Sequence, residues 1–116
     1  MKSIQYTPDA ADKIRKIRAE IQAMYGAEKA HSVITRLMKS IRGLSENEYK
    51  GPSVANMFGV NCEYRYLFIA PNYIFYTVED ACIRIINLYH EKEDFMWQLF
   101  GIDTTPQETL DYWDEE

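Results

Sequence analysis

Two apolar stripes of the same period, separated by one glycine, constrain this chain more than anything else in it. Ala10, Ile14, Ile17, Ile21 and Met24 recur at spacings of 4, 3, 4 and 3. Ala30, Ile34, Leu37, Ile41 and Leu44 repeat that spacing after Gly26. Only a helix brings such positions onto one face. Thr7-Pro8-Asp9 opens the first helix with a hydroxyl cap, a proline whose missing N–H costs nothing there, and an acid facing the helix dipole. Gly26 is expected to end it in a left-handed conformation, and Gly43 to end the second, with Leu44 making the apolar contact that follows such a cap. Two equal stripes joined by a tight break predict an antiparallel αα-hairpin.

Beyond the hairpin the period changes. Residues 45–61 form a polar connection punctuated by Gly51, Pro52 and Gly59, in which a short strand near residues 54–58 is expected. Residues 64–69, 73–78 and 82–89 are rich in β-branched and aromatic side chains, with turns at Pro71-Asn72 and Glu79-Asp80. Such short turns make consecutive strands antiparallel. Large residues on both faces predict that one face covers the hairpin while the other stays partly exposed. Residues 4–6 form a further short strand, at an edge or in the centre. Residues 95–100 suit a helical turn or two ended by Gly101, and Thr105-Pro106-Gln107-Glu108 matches a capping box. The expected fold is therefore α+β: N-terminal strand, αα-hairpin, antiparallel meander in one twisted sheet, and a short C-terminal helix. Residues 1–101 are the expected domain and residues 102–116 an acidic tail.

The net charge of −5 conceals a division. Residues 1–60 carry ten Lys/Arg against six Asp/Glu, whereas residues 61–116 carry three against twelve. The last sixteen residues hold six acids and no base, so the body is nearly neutral with a basic first half. That asymmetry suggests an interaction surface or an acidic appendage. The tail has two readings: a segment folded across a basic surface in imitation of nucleic acid, or a solvated end with a Tyr112-Trp113 anchor. No stretch reaches the ~20 apolar residues of a membrane helix, and no secretory signal is evident, so a cytoplasmic location is expected. Cys62 and Cys82 are too few for a metal cluster or a disulfide framework, and buried free thiols are the expected state.

No phosphate-binding glycine loop, nucleophile elbow or HExxH occurs, and His31 and His90 lie far apart. No cofactor or metal is expected. What remains is a scatter of polar and aromatic residues around the sheet: Lys50, Tyr64, Arg65, Tyr76, His90, Lys92 and Phe95. If a strand side chain and the exit of the last strand converge, cations meet aromatics, the combination that neutralises phosphates and stacks unpaired bases. A histidine or lysine there can also move a proton. Equally, Arg65 reads as a surface strand residue, His90 as a cap, and Tyr76 as sheet packing.

The segment EYRYLFIAPNYIFYTVEDACIRIINLYHEKEDFMWQLFG, with the opening IQYTPDAADKIRKI, resembles the RelE/ParE superfamily of bacterial toxins, the plasmid-stabilisation proteins. The likeness lies in Tyr-Arg in the first meander strand, Asn-Tyr-x-Phe-Tyr in the second, and His-x-Lys-x-Asp after the third, over roughly residues 2–101. The resemblance implies the toxin of a type II toxin–antitoxin system, a cognate antitoxin encoded nearby, and assembly as a homodimer or as a hetero-oligomer with that antitoxin. RelE-like members cleave mRNA on the ribosome with cationic side chains and no metal; ParE-like members poison DNA gyrase by protein contact. By resemblance, Arg65 matches a basic position of the first meander strand and Lys92 stands near the one after the last. Ile74 occupies a position where the nuclease branch tends to carry arginine. The resemblance therefore favours a ParE-like toxin. A metal-independent endoribonuclease using Arg65, His90 and Lys92, and a non-toxic binding module of the same fold, are the alternatives. In the contact-acting readings, Lys50, Tyr64, Tyr76 and Phe95 are the expected binding residues.

Overall fold

The computed structural model describes residues 2–59 and 62–93. The first strand, β1 (Ser3–Tyr6), leads into α1 (Pro8–Tyr25) and α2 (Ala27–Arg42), then a 3₁₀ turn over Gly43–Ser45. A short helix α3 (Val54–Phe58) precedes β2 (Arg65–Ile69), β3 (Asn72–Val78) and β4 (Cys82–His90). The strands form one sheet in the order β1-β4-β3-β2, with β1 parallel to β4 and the other pairs antiparallel. The strand at residues 3–6 thus lies at an edge, and pairs Ser3 through Tyr6 with Cys82 through Ile85.

The caps explain where the helices start and stop. The Thr7 hydroxyl accepts the Ala10 N–H at 3.0 Å and donates to the Ile86 carbonyl at 2.6 Å. One side chain therefore starts α1 and fastens it to β4. Gly26 ends α1 with φ +96° and ψ 169°, and its N–H donates to the Gln22 carbonyl. Its φ is positive as expected, although ψ lies outside the left-handed helical basin. Gly43 departs from expectation: it stays right-handed at φ −61°, so the chain runs on through the 3₁₀ turn and carries Leu44 to 0% exposure.

The short strand expected near residues 54–58 is instead α3. Ser53 caps it by accepting the Asn56 N–H, and Gly59 closes it in the left-handed conformation. Five residues are too few to display a helical period, so Val54 and Phe58 signalled β propensity while the cap on either side decided the outcome.

The hairpin covers one face of the sheet. Ile17, Leu37, Ile41 and Leu44 pack there against Leu67, Ile74, Ile83, Ile85 and Leu88. Burying each such side chain is worth roughly 1.5–3 kcal/mol before the entropy of ordering it. The opposite face is not simply exposed: Tyr66, Phe75 and Tyr89 form a second buried cluster with Val54. Phe75 meets both Tyr66 and Tyr89 at a tilt, with Phe75 and Tyr89 centroids 5.9 Å apart. Between Phe75 and Tyr76 the β3–β4 register shifts by one residue, from Asn87 to Ile85. This bulge is where Thr7 grips Ile86.

Candidate functional site

Arg65 stands at the start of β2, opposite Tyr76 of β3. Its Nε donates to the Gly51 carbonyl at 2.7 Å, one of its terminal nitrogens approaches the Tyr49 carbonyl at 3.5 Å, and the guanidinium lies 5.1 Å from the Tyr49 ring centroid. Tyr76 completes the same joint from beneath. Its hydroxyl donates to the Glu48 carbonyl and accepts the Gly51 N–H, both at 3.0 Å. Burial raises the Tyr76 hydroxyl pKa above the ordinary tyrosine value, with the Gly51 N–H and the neighbouring Arg65 charge pulling the other way. Gly51 is required here, because a Cβ would sit 2.1 Å from the Tyr66 carbonyl oxygen. These groups therefore lock the loop of residues 48–51 onto the sheet.

His90 and Lys92 stand at the other end. In register, Arg65 faces Tyr76, whereas His90 faces Asn72, four residues along β3. At ~3.3 Å per residue this sets them about 13 Å apart along the strands alone, with β3 lying between their two strands as well. Ile74 and Leu88 fill the space between on the hairpin side of the sheet, both 0% exposed beneath the hairpin. The expected convergence of strand and strand exit on one site does not occur. At the β4 end the Lys92 N–H donates to His90 Nδ1 at 3.1 Å. The His90 N–H in turn donates to the Glu93 carboxylate at 3.0 Å.

The remaining expected residues scatter. Lys50 is exposed beside the Arg65 loop. Tyr64 is half-buried against the second cluster. Tyr76 corrects the expectation of a contact residue: at 0% exposure, with its hydroxyl engaged twice, it presents no surface to a partner. Phe95, the expected helix at residues 95–100 and the acidic tail lie outside the described residues.

A feature the sequence reading missed is a groove of about 520 Å³ toward the joined end of the hairpin, beside Gly26. Its walls are the last turns of α1, the first half of α2, the β2–β3 turn at Ala70-Pro71-Asn72, and His90 with Glu93. Lys13, Lys16, Lys29 and Arg36 line it, against the acids Glu20 and Glu93. Lys13 is paired with Glu93 at 3.2 Å. Ile17, Ile21 and Val33 supply apolar surface, and Met24 is 71% exposed beside Tyr25. A signal was present, since Lys13, Lys16 and Glu20 flank the α1 stripe at helical spacing. Only the third dimension shows that α2 brings Lys29 and Arg36 to the same opening. Among the described residues, no three His, Cys, Asp or Glu side chains group as metal ligands, and no helix is long and apolar enough to cross a membrane.

Residues 4–95 match the family model of the ParE toxin of the parDE type II toxin–antitoxin system. The chain belongs to the ParE toxin family. Among solved structures, a chain of the chromosomal ParDE TA system from P. aeruginosa is 21% identical, with a TM-score of 0.66 over 78% of this chain and 96% of that one. That likeness shows a shared fold. No match was found among curated proteins. Membership in the ParE family makes the chain the toxin component of a type II toxin–antitoxin system and implies a cognate antitoxin as its partner. In ParE-family terms the hairpin, the meander and Arg65 all fall within the matched region, while the acidic tail falls beyond it.

Proposed function

We propose that this ParE-family toxin arrests growth by protein contact, with DNA gyrase as the target, and that its antitoxin neutralises it without any RNA cleavage being involved. The observation that carries this reading is the separation of Arg65 from His90 and Lys92. Cleaving a phosphodiester requires a proton-transfer group within hydrogen-bond reach of the attacking hydroxyl, and cations within the same distance of the phosphate. Groups offset by about 13 Å along the strands and lying on either side of β3, with Ile74 and Leu88 filling the space between, do not share one phosphate. Arg65 is also committed to the loop carbonyls and the Tyr49 ring, which supports a structural role for the one strand arginine that matches a nuclease position. Gyrase as target places the action in the cytoplasm.

The test is induction of the full chain in bacteria lacking the antitoxin, with 5′-end mapping of mRNA and detection of gyrase-linked DNA breaks in the same cultures. Growth arrest with intact mRNA and accumulated breaks is expected. New codon-phased mRNA ends would overturn the proposal in favour of a RelE-like nuclease. Unimpaired growth with soluble protein would overturn it in favour of a non-toxic binding module.

A further inference from the structure

Charge is divided between the two layers of this fold. Residues 8–42, the hairpin, carry eight Lys/Arg against four Asp/Glu, whereas residues 43–93 carry four against seven. Seven of the eight hairpin cations are exposed; the exception, Lys13, is taken up by Glu93 and the Tyr89 ring. At 3.6 residues per turn, Arg15 and Lys16 on α1 and Arg36 and Lys39 on α2 point away from the sheet, on which Ile17 and Leu37 pack. Gly26 joins the two helices, so residues equally distant from it stand side by side. Arg15 and Lys16 precede it by eleven and ten residues, and Arg36 and Lys39 follow by ten and thirteen. At 1.5 Å per residue the four cations fall within about 5 Å of one level. Lys16 and Arg36 accordingly line the same opening.

The bonds these cations already make leave their charge in place. Arg36 gives one terminal nitrogen to the Ala70 carbonyl at 3.4 Å, and that acceptor is neutral. Arg15 pairs with Asp12, but the two side chains are 70% and 61% exposed. Such a pair contributes little, and a phosphate oxygen can take the place of the carboxylate. The exposed positions alongside are small or hydroxylated: Ala19 on α1, Ser32 and Thr35 on α2. That composition selects among anionic partners. A protein partner needs large apolar anchors near the centre of the contact, and single-stranded nucleic acid needs rings on which bases stack. Met24 and Tyr25 stand at the end of α1, about 12 Å or more from Lys16. Duplex DNA needs neither, since cations and hydroxyls suffice to hold a backbone that carries one charge per ~1.7 Å.

We propose that the solvent face of the hairpin, at Arg15, Lys16, Arg36 and Lys39, docks on the phosphate backbone of duplex DNA without regard to sequence. The net charge of −5 does not oppose this, because the excess acid belongs to the meander and to residues 94–116. Binding to bare duplex involves no gyrase, so this proposal and the gyrase reading fail separately. Where both hold, the hairpin rests on the DNA that the target enzyme carries.

The test titrates the full chain into a fluorescent duplex of about 20 base pairs and follows anisotropy at several salt concentrations. Neutralising four phosphates predicts a slope of about −3.6 in log affinity against log salt, or about a hundred-fold loss between 50 and 200 mM. The variant Arg15→Gln, Lys16→Gln, Arg36→Gln, Lys39→Gln should bind roughly ten-fold or more weakly at the lower salt, with a slope shallower than about −1. Absence of binding by the native chain, or equal binding by the variant, would overturn the proposal. So would tighter binding to the single strand of the same sequence, which would show that bases are held instead. A footprint on the unmodified chain decides the question even where the variant fails to fold. With saturating duplex, Lys16 and Lys39 should be acylated by an amine-reactive ester about three-fold more slowly or less, while Lys2, Lys50 and Lys92 keep their rates. Uniform slowing of all these lysines, or protection confined to the last three, would place the DNA elsewhere and sink the idea.

Discussion

Tyr76 shows how one residue can look like a binding group and be a fastening. Its place in an aromatic strand was legible, but the two hydrogen bonds that hold residues 48–51 were not, because they depend on a loop returning to a strand twenty-five residues later. Tyr76→Phe keeps the ring and removes the hydroxyl, leaving the N–H of buried Gly51 without its acceptor. A loss of about 1–3 kcal/mol is expected in denaturant titrations. The same substitution should change the alkaline limb of stability. Burial raises the Tyr76 pKa, as it does for Tyr6 and Tyr89, so the folded chain retains these protons more firmly than the unfolded chain. Stability from this source is full below the ordinary tyrosine value of about 10 and is lost as pH rises through the raised folded values. Tyr76→Phe should therefore show a shallower fall in midpoint than the native chain above that pH. Equal slopes would mean that Tyr76 ionises as freely folded as unfolded.

At the scale of elements, legibility followed period and length. Both long helices and all four strands could be read from the residues, because burial of one face imposes a repeat on eighteen or sixteen helical positions and an alternation on strands. The five-residue α3 has too little room for either and was misread as a strand. The hairpin joint rests on Gly26 alone: α1 ends and α2 begins on the same residue, with no side-chain cap on α2. At φ +96° a Cβ is strained although open space surrounds it. Gly26→Ala is expected to cost roughly 1–2 kcal/mol through conformation alone. Gly51→Ala fails by a different route, since its Cβ would meet the Tyr66 carbonyl and the Tyr76 hydroxyl. That clash should cost about 3 kcal/mol by displacing the loop from the sheet. Thermal melts of the two variants, each alone and with Tyr76→Phe, separate these causes. Gly51→Ala should be non-additive with Tyr76→Phe, because both break one joint, whereas Gly26→Ala should add. Additivity of Gly51→Ala would contradict a shared joint.

For the molecule as a whole, the decisive contact joins its first strand to its last. The αα-hairpin and the β2–β3–β4 meander are built from neighbours in sequence, so local pattern sufficed to read them. The pairing of Ser3–Tyr6 with Cys82–Ile85 spans nearly the whole described chain, and it places the first strand at the edge of the sheet beside the last. The sequence named Arg65, His90 and Lys92 without showing that they stand apart, because residue types are read one by one whereas the β2–β3 and β3–β4 registers set their spacing. The same pairing closes the fold. β1 covers the outer edge of β4 at Ile83 and Ile85, both 0% exposed, and Ile4 and Tyr6 pack against the main core. The Ser45 hydroxyl donating to the Lys2 carbonyl at 2.6 Å ties β1 to the end of the hairpin. Removing residues 1–6 would leave Thr7 as the cap of α1 while uncovering an isoleucine-rich strand edge, a template for pairing between chains. The shortened chain is therefore expected to sediment as aggregates where the native chain does not. A milder variant, Ile4→Asp, should remain soluble but melt lower, by an amount corresponding to roughly 2 kcal/mol. A truncated chain that sediments as the native one does and melts at the same temperature would show that the β2–β3–β4 meander with the hairpin is self-sufficient. β1 would then be an addition to the fold rather than its closure.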